Sequence, residues 1–180
     1  MEMDVTPLAL ADARLLVPRA FADARGFFME TYSLERYRAA GIHDAFVQDN
    51  ISVSCRGTLR GLHSDPRMAK LVQVLAGEAY DVIVDLRRDS PTYRHWFGAT
   101  LNAANRTQLY VPPGFLHGYL ALADDTIFSY KQSALYDPAM EFGVAWNDPD
   151  LAIGWPLDGM APLLSPKDSA NPTLRELGYL

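Results

Sequence analysis

The feature that most limits this chain's fold is a train of short strand-like segments with little room between them. They run Phe46 to Ser54, Lys70 to Leu75, Glu78 to Leu86, His95 to Leu101, Thr107 to Val111, Phe115 to Leu122 and Thr126 to Ser133. Turn-forming residues divide them: Ala76-Gly77, Asp89-Ser90-Pro91, Asn102 to Asn105, Pro112-Pro113-Gly114 and Asp124-Asp125. Parallel strands need crossovers of a dozen or more residues, usually a helix. Most of these gaps are far shorter, so the spacing predicts an antiparallel sandwich or barrel.

The flanks add little regular structure. Arg14 to Arg19 reads as a strand stopped by Pro18, and Gly26 to Tyr32 as a second after a polar turn. Ser33 to Ala40 is predicted as a helix, with Ser33 as its cap and Gly41 as the left-handed terminating residue. From Trp146 on the chain is proline-rich and loop-like, with a short helix opening at Ser165-Pro166-Lys167-Asp168. No repeat or linker interrupts the 180 residues, so residues 1–180 are expected to form one mainly β domain with a few short peripheral helices.

Charge narrows the function. A net charge of −6 argues against a general nucleic-acid binder, which needs a basic surface, although a few local cations can still hold one diphosphate. The single Cys55 cannot form an internal disulfide. No secretory leader is recognisable, and no apolar run nears the roughly 20 residues that span a bilayer. A cytoplasmic location without membrane contact is the expectation.

Chemistry concentrates in Thr58-Leu59-Arg60-Gly61-Leu62-His63. An imidazole can take and return a proton near neutral pH, and a guanidinium can hold an anionic group. His63 is either a catalytic base or a hydrogen-bonded histidine of a barrel wall. Strict alternation puts Arg60 and His63 on opposite faces, so both reach one cleft only if Gly61 allows a bulge. Farther on, Val111-Pro112-Pro113-Gly114-Phe115-Leu116-His117 resembles the second short motif of cupin jelly rolls, P-x-G-x-x-H. Many cupins use that histidine to hold a metal beside an H-x-H pair. Here Ser64-Asp65 follows His63, with no second histidine two residues on. His63 and His117 make two ligands where about three are usual, with only Asp65 or Glu78 to recruit, and no metal site is expected.

The resemblance widens along the chain. Asp23-Ala24-Arg25-Gly26-Phe27-Phe28-Met29-Glu30, Phe46-Val47-Gln48-Asp49-Asn50, Leu59 to His63, Lys70-Leu71-Val72, Asp81 to Asp85, Gln108 to His117, Tyr130-Lys131, Asn147-Asp148-Pro149, Trp155-Pro156 and Leu164 to Asp168 stand in the order found in one family. The chain thereby resembles the dTDP-4-dehydrorhamnose 3,5-epimerases, metal-free cupins with a jelly-roll barrel. The resemblance implies a nucleoside-diphosphate 4-keto-6-deoxy sugar as substrate, with protons removed at C3 and C5 and returned to the opposite face. By the family pattern His63 is the base, oriented by Asp168; Tyr130 is the acid; Lys70 stabilises the enolate oxygen. No cofactor is implied, because the ketone itself acidifies both C–H bonds. Arg25, Glu30, Gln48, Asn50, Arg60, His117, Tyr136, Glu141 and Lys167 match substrate-binding positions. A homodimer is also implied, in which the N-terminal segment with Arg25 and Glu30 reaches the neighbouring subunit's site.

Each of these residues has a structural alternative. Asp168 can complete a capping box with Ser165, Tyr130 can be an interior tyrosine with a satisfied hydroxyl, and Lys70 an edge-strand lysine. Tyr136, before Asp137-Pro138, can simply pack a turn. The loop Ser64 to Ala69 is shorter and more acidic than in most members and is expected near the sugar. Inversion at one centre only, another nucleotide-linked 4-keto hexose or heptose, a non-catalytic sugar-nucleotide binder and a metal-dependent cupin remain alternatives.

Overall fold

The computed structural model describes residues 2–180. Thirteen strands and two short helices follow in order. The strands are β1 (Met3–Pro7), β2 (Arg14–Pro18), β3 (Ala20–Asp23), β4 (Gly26–Met29), β5 (Gln48–Ser54), β6 (Leu59–Ser64) and β7 (Lys70–Ala76). Then come β8 (Glu78–Asp85), β9 (Trp96–Asn102), β10 (Gln108–Val111), β11 (Phe115–Ala121), β12 (Thr126–Gln132) and β13 (Phe142–Gly143). Helix α1 spans Leu34–Ala39 and α2 spans Pro166–Ser169.

The strands form a six-stranded sheet, β1-β2-β10-β7-β12-β5, facing a five-stranded one, β13-β6-β11-β8-β9, with β3-β4 as a separate hairpin. Every pair of named strands is antiparallel. This is the cupin jelly roll expected from strand spacing and motif. Three short strands escape the sequence pattern: β1, β3 and β13, each too brief or too polar to show a period of two.

The two sheets close on a shared core. Val72, Val74 and Phe128 face Ala79, Ile83, Phe115 and Tyr119 across it. Phe128 is fully buried, which contributes on the order of 1.5–3 kcal/mol relative to exposure. All seven residues of β11 are buried, because the outer face of its sheet is covered too. Leu62, Val82, Val84 and Leu116 pack there against Val144, Leu151 and Leu174 of the C-terminal segment. Helix α1 covers one end of the other sheet, Tyr37 and Ile42 packing on Leu16 and Leu71. Ser33 sits at the N-cap of α1 but makes no side-chain cap bond, so the capping expected there is absent. Gly41 does take the left-handed conformation, φ +84°.

The outer face of β5 is left uncovered. Ile51 and Val53 are 66% and 57% exposed, while Gln48, Asn50 and Ser52 point inward. Among the described residues no helix is long and apolar enough to cross a membrane.

Candidate active site

A cavity of about 290 Å³ opens between the two sheets. From the five-stranded sheet it receives Arg60, His63, His117 and Tyr119; from the six-stranded sheet, Ser52, Lys70, Phe128, Tyr130 and Gln132. The segment after β12 adds Tyr136 and Glu141, and α2 with its cap adds Ser165, Lys167 and Asp168.

Arg60 and His63 share this cavity because β6 is bulged. His117 pairs with His63 and Tyr119 with Arg60, so Gly61 and Leu62 on β6 stand against Gly118 alone on β11. Gly61 lies in the bulge at φ +125°. A Cβ there would sit 2.6 Å from the Gly118 Cα, so only glycine fits the close approach.

His63 Nε2 meets Asp168 Oδ1 at 2.5 Å. The carboxylate is nearly buried and the imidazole about a quarter exposed. Burial alone would push Asp168 up, but the His63 contact, the Ser165 hydroxyl and the Gly61 N–H together hold it below the usual carboxylate range. The capping alternative is half realised, since the Asp168 N–H donates to Ser165 Oγ at 3.0 Å. That bond uses the backbone and leaves the carboxylate for His63. A hydrogen bond on one imidazole nitrogen fixes which nitrogen keeps its lone pair.

Lys70 opens β7, a central strand between β10 and β12, so it is not an edge lysine. Desolvation pulls its ammonium below the ordinary lysine range, against the opposing charges of Glu141, Asp81 and Asp65. Burial pushes the Tyr130 hydroxyl up, and among the described residues no hydrogen bond holds it. It is therefore not the satisfied interior tyrosine of the structural alternative. Beneath these groups Tyr119 and Phe128 stack in parallel at 4.1 Å, and the Tyr119 hydroxyl bonds Ser52 and Ser54.

Five of the nine expected binding residues, Arg60, His117, Tyr136, Glu141 and Lys167, line the cavity. Lys167 and Glu141 are ion-paired across its mouth. Gln48 and Asn50 stand beside it in a chain: Tyr136 N–H donates to Gln48, Gln48 to Asn50, and Asn50 to the lining Gln132. Arg25 and Glu30 lie elsewhere. Arg25 pairs with Asp23 at the turn between β3 and β4, and Glu30 pairs with Arg36 of α1.

The loop Ser64 to Ala69 contributes nothing to the lining, contrary to its expected place near the sugar. Asp65 is buried and accepts from Arg67 N–H and Nε at 3.0 Å, closing a turn within the loop itself. Ser52, Tyr119, Phe128 and Gln132 were not foreseen as lining residues. Strand parity contained the signal, since they alternate in step with Asn50, His117 and Tyr130. Among the described residues no three His, Cys, Asp or Glu side chains are grouped to hold a metal.

A family profile described as dTDP-4-dehydrorhamnose 3,5-epimerase matches residues 7–176. A Neisseria gonorrhoeae protein named dTDP-4-dehydrorhamnose 3,5-epimerase is 49% identical over 95% of the chain, which spans about half (52%) of that relative's length. The Pseudomonas aeruginosa protein of the same name is 48% identical, over 92% of this chain and 93% of that one. Among solved structures, a Legionella pneumophila dTDP-6-deoxy-D-glucose-3,5-epimerase in complex with dTDP-4-keto-L-rhamnose superposes with a TM-score of 0.93. It is 43% identical, and the match covers 97% of this chain and 94% of that one.

Proposed function

Since the chain belongs to the dTDP-4-dehydrorhamnose 3,5-epimerase family, we propose that its cavity binds dTDP-4-dehydro-6-deoxyglucose and inverts C3 and C5 through an enolate. The observation that carries this reading is the division of groups between two walls. His63, backed by Asp168, comes from the five-stranded sheet, while Tyr130 and Lys70 come from the opposite one. Inversion needs a base on one face of the sugar and an acid on the other.

In this reading Asp168 keeps a proton on His63 Nε2, leaving the other ring nitrogen to abstract H3 and H5. Each abstraction puts negative charge on the C4 oxygen, where the Lys70 ammonium stabilises it. The free Tyr130 hydroxyl returns a proton from the other side. Between the two inversions His63 gives its proton to solvent and Tyr130 regains one from solvent, so protons balance and no oxidant or reductant is needed. Arg60 meets the diphosphate, and Tyr136, half exposed at the mouth, offers a ring to the base.

We read the partner of this chain as a second copy of itself. Phe27 and Phe28 on the β3–β4 hairpin are 58% and 65% exposed, an apolar projection that a neighbouring subunit would cover. Arg25 and Glu30 on or beside that hairpin would then serve the neighbour's cavity. A core shared by both sheets supports one domain over residues 1–180. An exposed, unpaired Cys55 fits the cytoplasm.

The test is solvent-deuterium incorporation into dTDP-4-dehydro-6-deoxyglucose, read by NMR at C3 and C5. Exchange at both carbons is expected, with none in His63→Ala and with turnover lost before exchange in Tyr130→Phe. Exchange at one carbon would make this a single-centre epimerase. Absence at both, with several 4-keto hexose and heptose nucleotides tried, would leave only sugar-nucleotide binding.

A further inference from the structure

Three inward-facing residues stand in one row across the six-stranded sheet. Gln132 of β12 pairs with Gln48 of β5 on one side and with Lys70 of β7 on the other. It lies two residues beyond Tyr130, on the same face of its strand. Gln132 is 6% exposed and lines the cavity, and the steps above give it no part.

Its carboxamide has only one orientation. The Tyr136 backbone N–H can only donate, so the Gln48 atom 3.0 Å from it is the side-chain oxygen. The Gln48 nitrogen then donates to the Asn50 oxygen at 3.0 Å, and the Asn50 nitrogen to the Gln132 oxygen at 3.1 Å. Flipping any one of these amides would set two donors or two acceptors against each other. The chain therefore ends on Gln132 Nε2, a donor from which nothing accepts among the described residues. A nearly buried donor without an acceptor is costly. This one is not sealed in, because its residue opens on the cavity beside Lys70 and Tyr130.

We propose that Gln132 is a further catalytic residue of this site, its Nε2–H donating to the C4 oxygen of the bound sugar alongside Lys70. This rests on the epimerase reading of the cavity and deepens it. Directly opposite residues of an antiparallel pair hold their Cβ atoms about 4.5–5.5 Å apart, so the Gln132 amide and the Lys70 ammonium can converge on one oxygen. The two donors differ in kind. Lys70 supplies a charge, whereas Gln132 supplies a direction fixed by the chain that begins at Tyr136. Negative charge grows on the C4 oxygen as each proton leaves, so the contact strengthens toward the transition state and acts on kcat more than on KM.

The test reads the Gln132 side-chain amide by ¹⁵N–¹H NMR of the full chain, its signal assigned by its disappearance in Gln132→Met. dTDP alone, which lacks the sugar, is expected to leave both amide protons near their free positions, and dTDP-4-dehydro-6-deoxyglucose to move one of them downfield. No shift with the sugar nucleotide, or an equal shift with dTDP, overturns the contact. In kinetics, Gln132→Met should lower kcat roughly tenfold to a hundredfold with KM within about threefold. Gln132→Glu still accepts from Asn50 but has no hydrogen for the ketone, and should lose at least as much. Wild-type turnover in Gln132→Glu would reduce Gln132 to a support for Asn50, and a raised KM at unchanged kcat would put its contact on an atom whose charge does not change; either overturns the proposal. A protein that exchanges neither C3 nor C5 defeats the epimerase reading instead, while the amide signal still decides whether Gln132 meets the sugar.

Discussion

His63 and Asp168 are 105 residues apart in the chain and 2.5 Å apart in the fold, Nε2 to Oδ1. The contact joins the bulged strand β6 to the first turn of α2, and two separate bonds hold it in place. Asp168 is anchored through its backbone N–H to Ser165 and engages His63 through its carboxylate.

These two bonds can be separated by substitution. Asp168→Asn keeps the backbone cap and nearly the same volume but can present an amide N–H to His63 and shift its proton to the wrong nitrogen. A fall in kcat of roughly 10²–10⁴-fold is expected, with the thermal midpoint moving by no more than about 4 °C. A midpoint collapse with activity retained at low temperature would make Asp168 a structural cap only.

Lys70 predicts the alkaline side of the pH profile. Its ammonium is held below the ordinary lysine range by desolvation, and the proposed reaction needs it charged. Activity should therefore fall as pH rises through that depressed value, earlier than an ordinary lysine would allow. Tyr130 does not set this limb, because burial moves its hydroxyl upward and keeps it protonated longer. Lys70→Gln should cost roughly 10²–10³-fold in kcat and abolish the limb; a limb unchanged in that variant would assign it elsewhere.

Gly61 joins fold to function at one position. Its φ of +125° and the 2.6 Å that would separate an added Cβ from Gly118 Cα leave a side chain no room. Gly61→Ala is expected to destabilise the protein by roughly 2–4 kcal/mol from backbone strain and overpacking together. Denaturant unfolding measures this. Activity should fall further than the folded fraction, because relaxing the bulge turns either Arg60 or His63 out of the cavity.

How much of this was legible in the sequence depends on the kind of signal. The long strands β5, β7, β8, β11 and β12 announce themselves through alternation and punctuation, since one or both faces must be buried. Strands of two to five residues, such as β13 and β1, carry too few periods to register. Arg60 and His63 looked incompatible under strict alternation, and the glycine between them was the only hint of the bulge. The His63–Asp168 pair spans most of the chain, so only the family pattern could join them beforehand. Gln132 alternates in step with Tyr130, yet its bond from Asn50 is a property of the packed barrel and not of local spacing. The loop Ser64 to Ala69 was placed near the sugar by the family pattern alone, whereas Asp65 spends its carboxylate on Arg67 within the loop and no loop residue lines the cavity.

Arg25 tests whether two chains share each cavity. Its guanidinium pairs with Asp23 on the exposed β3–β4 turn, outside its own chain's cavity. If the hairpin serves the neighbour, each complete site combines His63 of one protomer with Arg25 of the other. Arg25→Ala and His63→Ala homodimers should then both be weak or inactive at limiting substrate. After mixed refolding, a heterodimer regains one native site, built from the intact His63 of the first variant and the intact Arg25 of the second. About a quarter of wild-type activity is expected at equal mixing, because half the dimers are heterodimers and half their sites are whole. If each chain instead supplied its own Arg25, no site in the mixture would be whole, and activity would stay at the mean of the two variants.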